Sequence, residues 1–124
     1  MAHVLVADDD ADIRNLVTFK LNQSGHRVTA VEDGLAALRA AREQPVDLVL
    51  LDIRMPGMSG LDVCRNLRAE PETATLPVIM ITARSQEGDI EAGFAAGADD
   101  YITKPFSPRE LSSRVTALLN RAAT

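Results

Sequence analysis

The chain has 124 residues, of which 46% are hydrophobic and 25% are charged, proportions that fit one globular domain over residues 1–124. Its net charge of −5 argues against nucleic acid or an anionic membrane as a direct partner of this domain. One cysteine excludes an internal disulfide and a cysteine-based metal site, and it favours a reducing, cytoplasmic compartment. The first residues lack the basic start and long apolar core that are typical of a signal peptide, and no run approaches the roughly 18 apolar residues that a membrane span needs.

The first predicted strand is HVLVA, residues 3–7, and it ends directly in three acids. A helix follows, because apolar residues recur at helical spacing up to Gly25, a residue suited to ending a helix. Asp10 or Asp12 lies at the start of that helix, where an acid suits the helix dipole. The other acids at this strand end are Asp8 and Asp9.

The second unit consists of a strand over residues 28–31 and a helix that Asp33 can cap. The apolar residues of this helix recur at intervals of three, so we expect one stripe of its surface to face the core. That stripe consists of Leu35, Leu38 and Ala41.

The third strand lies in VDLVLLDIRMPGMSG, residues 46–60, which is the most informative stretch of the chain. Its nearly unbroken apolar run is typical of a strand buried on both faces of a parallel sheet. The strand ends in a carboxylate, Asp52, and a loop with a Pro-Gly turn follows. A third helix begins after the loop and must end before Pro71.

The fourth strand is predicted at LPVIMI, residues 76–81, and it delivers Thr82 and Ala83 to the same end of the sheet as the acids. We expect the fourth helix to begin at Ser85 or Gln86. Its apolar stripe is thin, because most of its nonpolar residues are alanine or glycine.

A short fifth strand around Tyr101 ends at Lys104. The last helix has a strong start signal, since Ser107 and Glu110 form the pattern of a capping box and Pro108 occupies the first helical position. The chain therefore contains five strand–helix units.

Five such units predict an α/β fold with a five-stranded parallel, doubly wound sheet of strand order 2-1-3-4-5 and five helices. In this order strands 1, 3, 4 and 5 are consecutive neighbours, so their carboxyl ends meet along one edge. We therefore expect a single crevice at this edge of the sheet. The residues around it are Asp8, Asp9, Asp52, Thr82 and Lys104.

This set of side chains suits phosphoryl chemistry. Three carboxylates repel one another unless a cation or a proton intervenes, and an oxygen-only set suits Mg²⁺ better than Zn²⁺. A lysine can hold a phosphate, a threonine hydroxyl can bond one of its oxygens, and a carboxylate can accept a phosphoryl group. Helix capping is the alternative role for Asp8 and Asp9.

The chain resembles the receiver domains of two-component response regulators over nearly its whole length. The resemblance depends on the DD pair after strand one, the D-x-x-M-P-G-M-S-G segment, T-A after strand four and K-P-F after strand five. It implies a flavodoxin-like receiver fold with Asp52 as the phosphoacceptor. It also implies that Asp9, Asp52 and the backbone carbonyl of Arg54 ligate Mg²⁺, with Asp8 acting mainly through a water.

The same resemblance implies roles for the later residues. Lys104 would pair with the phosphoryl oxygens, and its peptide bond to Pro105 would be cis. Thr82, beside Ala83, would turn inward to bond the phosphoryl group while Tyr101 moves from an exposed to a buried rotamer. The site would thereby be coupled to the face formed by helix four, strand five and helix five.

Partners also follow from the resemblance. The phosphoryl donor would be a histidine kinase or a phosphotransfer protein, and a downstream effector domain or target protein would receive the signal. By the same resemblance, Arg54 and Arg84 would flank the crevice where family members tune the phosphoryl lifetime, either steering anionic donors or obstructing the attacking water. The last segment is similar to regulators that dimerise on phosphorylation, and the charges that match that interface are Asp99, Asp100, Glu110 and Arg114.

Two other functions remain as alternatives to a signalling receiver that catalyses only its own phosphorylation and dephosphorylation. One is an aspartate-nucleophile phosphatase of the haloacid dehalogenase type, although the first acids are followed by Ala11 and Asp12 and do not complete a D-x-D-x-T pattern. The other is an interaction module of receiver fold that works without phosphorylation. Turnover of a generic phosphate ester would distinguish the phosphatase.

Overall fold

Strands and helices alternate along the whole chain in a computed structural model, which describes residues 1–83 and 87–123. The strands are β1 (His3–Ala7), β2 (Arg27–Val31), β3 (Leu48–Asp52), β4 (Val78–Ala83) and β5 (Asp100–Lys104). The helices are α1 (Ala11–Gln23), α2 (Gly34–Glu43), α3 (Gly60–Ala69), α4 (Glu87–Ala96) and α5 (Pro108–Ala123). No helix in the described ranges has the length and apolar character that crossing a membrane requires.

The five strands are all parallel and lie in the order β2-β1-β3-β4-β5, which confirms the predicted topology. Every residue of β1 and β3 is buried, because helices cover both faces of the middle of the sheet. The register pairs Asp52 with Ile81 and Ala83 with Lys104, so β4 and β5 end level with each other, two residues beyond the end of β3. The carboxyl ends of the strands therefore form one edge.

The core has two layers, because successive side chains of a strand point to opposite faces. Val4 and Val6 of β1 belong to the layer under α1 and α5, whereas Leu5 and Ala7 belong to the layer under α2, α3 and α4. Both layers are built mostly from aliphatic side chains. The sheet that carries the site is therefore held from both sides.

Side-chain caps fix the starts of the helices. Asp10 is the N-cap of α1 and accepts a hydrogen bond of 2.8 Å from the backbone N–H of Asp12, which decides between the two predicted candidates. Asp33 caps α2, and the Ser107 hydroxyl accepts a bond of 3.0 Å from the N–H of Glu110 at the start of α5. The acid that fixes the start of α1, Asp10, therefore lies next to the crevice.

Two predictions about these elements were wrong. The fourth strand begins and ends two residues later than predicted, so Thr82 and Ala83 lie inside β4 and are held by its ladder to β5. Leu35 is 56% exposed, although the other two residues of the predicted stripe, Leu38 and Ala41, are buried as expected. The buried face of α2 is completed by small residues, Gly34, Ala37 and Ala40. The predicted start of the fourth helix, Ser85 or Gln86, lies outside the described residues.

Candidate functional site

Three carboxylates meet at the carboxyl edge of the sheet. One oxygen from each of Asp8, Asp9 and Asp52 lies within 4.8 Å of the others. Asp8 and Asp52 are buried, and Asp9 is exposed. Asp8 and Asp9 are neighbours in the sequence, whereas Asp52 is far from both, and the pairing of β1 with β3 brings it to them.

The two carboxylate oxygens of Asp8 differ in how well they are hydrogen-bonded. Its Oδ1 accepts a hydrogen bond of 2.9 Å from the backbone N–H of Asp10. Its Oδ2 lies 3.1 Å from Lys104 Nζ but receives no well-directed hydrogen bond from the described part of the chain. A buried carboxylate oxygen in this condition is costly, and a bound cation would satisfy it. The donor set, which is all oxygen, therefore fits a hard divalent ion such as Mg²⁺.

Asp52 ends β3 with its carboxylate between a backbone donor and a cation. Its Oδ1 accepts a bond of 3.3 Å from the N–H of Arg54, and its Oδ2 lies 3.5 Å from Lys104 Nζ. Burial, together with the charge of Asp8, raises the pKa of Asp52 to about 7, although Lys104 opposes the shift. Without a further cation this carboxyl group resists ionisation at neutral pH.

Lys104, at the end of β5, balances part of this negative charge. Burial disfavours its charged form, but the interactions with Asp8 and Asp52 outweigh burial and raise the pKa of the lysine. The ammonium group therefore stays protonated while it contacts both acids. The peptide bond that follows, from Lys104 to Pro105, is cis.

A cavity of about 340 Å³ opens over Asp52. Its walls include Asp9, Asp52, Arg54, Thr82, Asp89 and Lys104, and Ala83 lies beside them. The Thr82 hydroxyl is nearly buried, and its hydrogen bond to the Ala83 carbonyl is long, at 3.4 Å. Such a weakly held hydroxyl is available to an oxygen of a group bound in the cavity.

The loop after Asp52 is closed at its base. The N–H of Gly60 donates a bond of 2.9 Å to the carbonyl of Ile53. Gly60 lies so close to the backbone of Asp52 that a Cβ atom would overlap the Asp52 carbonyl. Glycine is therefore required where the first turn of α3 meets the end of β3.

Tyr101 is not among the described residues that line the cavity. Its ring is half-buried and meets Phe94 of α4 edge to face, with the ring centroids 5.9 Å apart. The Arg114 guanidinium lies 5.6 Å from the centroid of the Tyr101 ring. The tyrosine thus joins α4, β5 and α5 on a surface beside the site.

The four charges predicted for a dimer face already have partners within the chain. Asp99 accepts bonds of 3.0 Å from Arg68 and 2.9 Å from the N–H of Val78. Arg114 contacts Asp100 at 3.0 Å and Glu110 at 3.4 Å. A second copy of the chain would have to compete with these contacts.

One pair at the site was missed by sequence reasoning. The Arg54 guanidinium forks onto Asp89 of α4, with Nε 3.0 Å from Oδ2 and Nη2 3.1 Å from Oδ1. An acid in the first turn of the helix after β4 was the available signal, but the spacing does not say what it faces. The other arginine predicted to flank the crevice, Arg84, lies outside the described residues.

Comparison with known proteins gives a consistent result. A family model described as the response regulator receiver domain matches residues 4–116. The DNA-binding response regulator MtrA of Mycobacterium leprae is 48% identical over 118 residues, which are 95% of this chain and 51% of that protein. This chain therefore spans about half the length of the curated relatives that it matches.

Solved structures agree with the sequence comparison. The chemotaxis response regulator CheY4 of Vibrio cholerae superimposes with a TM-score of 0.89 at 31% identity, covering 94% of this chain and 98% of that one. The receiver domain of sensor histidine kinase PA1611 from Pseudomonas aeruginosa has a TM-score of 0.89 at 33% identity, covering 96% and 98% of the two chains. That structure has a magnesium ion coordinated in its active-site cleft.

Proposed function

The chain belongs to the response regulator receiver domains, signalling proteins of two-component systems, and from this we propose that Asp52 is its phosphoacceptor. The observation that carries the proposal is the position of Asp52 at the base of a cavity, with Asp8, Asp9 and Lys104 around its carboxylate. A nucleophile for phosphoryl transfer needs this combination of positioning and charge neutralisation.

We propose that Mg²⁺ is held by Asp9, Asp52 and the backbone carbonyl of Arg54, with Asp8 acting mainly through a water. The buried Oδ2 of Asp8 and the oxygen-only donor set support this assignment. When bound, the ion neutralises charge on the phosphoryl oxygens and on the carboxylates. A cation held there would oppose the burial that raises the pKa of Asp52, because it would favour the ionised form.

In the proposed transfer, an Asp52 carboxylate oxygen forms a bond to phosphorus while the bond from phosphorus to the donor breaks. The electron pair of the broken bond leaves with the donor. Lys104, which pairs with Asp8 and Asp52 before the reaction, would pair with phosphoryl oxygens afterwards. The Thr82 hydroxyl would leave the Ala83 carbonyl, to which it donates a weak hydrogen bond, and would donate to a phosphoryl oxygen in its place.

The partners proposed are those of a receiver. A histidine kinase or phosphotransfer protein would supply the phosphoryl group, and an effector domain or target protein would read the face that includes Tyr101. The relatives named as DNA-binding are about twice as long as this chain, so we assign DNA contact to a separate effector domain. We also propose that the domain catalyses only its own phosphorylation and dephosphorylation.

Phosphorylation-enhanced dimerisation remains a prediction that sedimentation can check. The charges involved would be Asp99, Asp100, Glu110 and Arg114, which must exchange their internal partners for those of a second copy. We expect the phosphorylated chain to sediment faster than the unmodified chain at the same concentration. A phosphorylated chain that stays monomeric at high concentration would contradict the prediction.

The test of the proposed function is the intact mass after incubation with Mg²⁺ and acetyl phosphate. We expect one phosphoryl adduct in the wild type, none in Asp52→Ala, and an unchanged adduct in Asp62→Asn, which alters an exposed acid of α3. No adduct in the folded wild type would favour the interaction module. Turnover of a generic phosphate ester would favour the phosphatase.

A further inference from the structure

The ion pair between Arg54 and Asp89 joins the loop after the phosphoacceptor to the first turn of α4. Both nitrogens of the fork are within 3.1 Å of a carboxylate oxygen, a geometry that makes full use of the planar guanidinium. The Asp89 side chain is 14% exposed and the Arg54 side chain is 65% exposed. The acid is therefore fixed against the protein, whereas the arginine reaches it from the solvent side.

The pair lies at the mouth of the site. Arg54 and Asp89 line the cavity that contains Asp52, Thr82 and Lys104. They also line a second cavity of about 550 Å³, whose walls include Met55 and Pro56 of the loop after β3. The backbone N–H of Arg54 already contacts the Asp52 carboxylate, at 3.3 Å. Any group attached to Asp52 therefore enters the space that the pair borders.

Few of the described residues of α4 are buried. The helix contains two glycines and three alanines among its ten residues. Of its residues whose burial the structure describes, Gly93 and Ala96 are buried, and its largest side chain, Phe94, is 46% exposed. A helix with so few buried apolar contacts has low local stability, so one two-point ion pair is a substantial part of its attachment.

We propose that Arg54 exchanges partners when Asp52 is phosphorylated, leaving Asp89 for the phosphoryl group and thereby releasing the first turn of α4. This inference rests on the proposed function of Asp52. A phosphoryl group adds between one and two negative charges and three strong acceptor oxygens, which suit the same guanidinium fork. Asp89 then faces a phosphoryl anion across one cavity without its counter-ion, so repulsion moves its helix in the same direction.

Thermodynamic linkage makes the exchange measurable. If the phosphorylated state requires the pair to open, then a change that removes Asp89 as a competitor must favour that state by the same free energy. A change that removes the Arg54 side chain also breaks the ion pair, but it removes the guanidinium that would bind the phosphoryl oxygens. The two substitutions are therefore expected to act in opposite directions.

The test measures the affinity of beryllofluoride, a phosphoryl mimic, in the presence of saturating Mg²⁺. We expect Asp89→Asn to tighten binding by about threefold, the scale of a partly exposed ion pair, and Arg54→Gln to weaken it by about tenfold. Arg54→Lys keeps the charge without the fork and should fall between wild type and Arg54→Gln. Glu91→Gln makes the same charge change as Asp89→Asn at an exposed position of α4 and should match the wild type.

Hydrogen exchange of the amides of α4 supplies a second readout. Without the mimic, the amides of α4 should exchange several-fold faster in the Asp89→Asn variant than in the Glu91→Gln variant. Addition of beryllofluoride should then raise the exchange rate less in Asp89→Asn than in Glu91→Gln. If both Arg54→Gln and Asp89→Asn tighten binding, the pair is only a static tether and the exchange of partners is wrong. If Asp89→Asn and Glu91→Gln behave alike, the coupling itself is wrong. A folded wild type that binds no beryllofluoride would overturn the proposed function together with this inference.

Discussion

The two ends of the sheet treat their buried polar groups in opposite ways. At the amino end, the His3 ring lies 3.2 Å from the carbonyl of Pro45 through Nδ1 and 2.7 Å from the Thr29 hydroxyl through Nε2, and Asp47 accepts a bond from the His3 backbone N–H. At the carboxyl end, Asp8 Oδ2 is buried without a well-directed hydrogen bond among the described residues. Each of these polar groups of His3 therefore has a hydrogen-bond partner, whereas at the carboxyl end three carboxylates meet and carry more negative charge than Lys104 balances.

The difference indicates that the carboxyl end of the sheet lowers the stability of the folded protein, whereas the amino end does not. A satisfied polar network contributes to the folded state, and mutually repelling carboxylates cost free energy until a ligand arrives. Both ends are covered by the same two layers of helices, so burial alone does not explain the contrast. The chemistry of the carboxyl end does, because a site that binds a cation and a phosphoryl group must not be neutralised internally.

The largest expected effect is the relief of this cost in Asp52→Asn. Because the folded-state pKa of Asp52 is raised from 3.8 to about 7, metal-free wild type should lose stability as the pH rises through that interval. The asparagine variant carries no such charge and should be more stable at pH 8 by up to about 4 kcal/mol, with little difference below pH 4. Urea unfolding in a chelator at both pH values measures this, and an equal effect at both would contradict the assigned cause.

A substitution at the amino end of the sheet is expected to lower the stability of the protein, in contrast to Asp52→Asn. His3→Ala removes the ring that bridges Thr29 and Pro45 and should lower the free energy of unfolding by about 2 kcal/mol. The loss should be the same with and without Mg²⁺, because the ring lies at the other end of β1 from the acids. A loss that disappears on adding Mg²⁺ would show that the two ends are not independent.

The smallest expected effect is stabilisation by the metal. At a Mg²⁺ concentration ten times its dissociation constant, the wild type should gain about 1.4 kcal/mol at pH 7.5. Asp8→Asn should lose most of this gain, and Asp62→Asn should keep it, since Asp62 lies exposed on α3. Thermal melts with Mg²⁺ and with chelator give the comparison, and an undiminished gain in Asp8→Asn would remove Asp8 from the metal site.

The sequence predicted the features that depend on local pattern. The apolar run of β3 and the position of Asp52 after it were enough to place the acid at a sheet edge, since a strand buried on both faces belongs inside a parallel sheet. The strand order then placed Thr82 and Lys104 beside it. These inferences needed only periodicity and the rules of connection between strands.

The features that depend on rotation of a helix could not be predicted in this way. Leu38 and Ala41 of the predicted stripe of α2 are buried, but Leu35 is exposed, and at this end of the helix it is Gly34 that lies against the backbone of Met58. The pairing of Arg54 with Asp89 depends on how α4 is turned, and a helix of small residues has no apolar period from which to read its orientation.

The closed base of the loop after Asp52 has an evolutionary consequence. Because the bond from Gly60 to Ile53 ties the ends of the loop together, an exposed side chain of the loop can change without altering the frame that presents the carboxylate. Arg54 is one of those side chains, and in our proposal it touches both the modified aspartate and the helix that responds. Successive substitutions in this short segment would let selection adjust how long a signal lasts while the sheet beneath it is inherited unchanged.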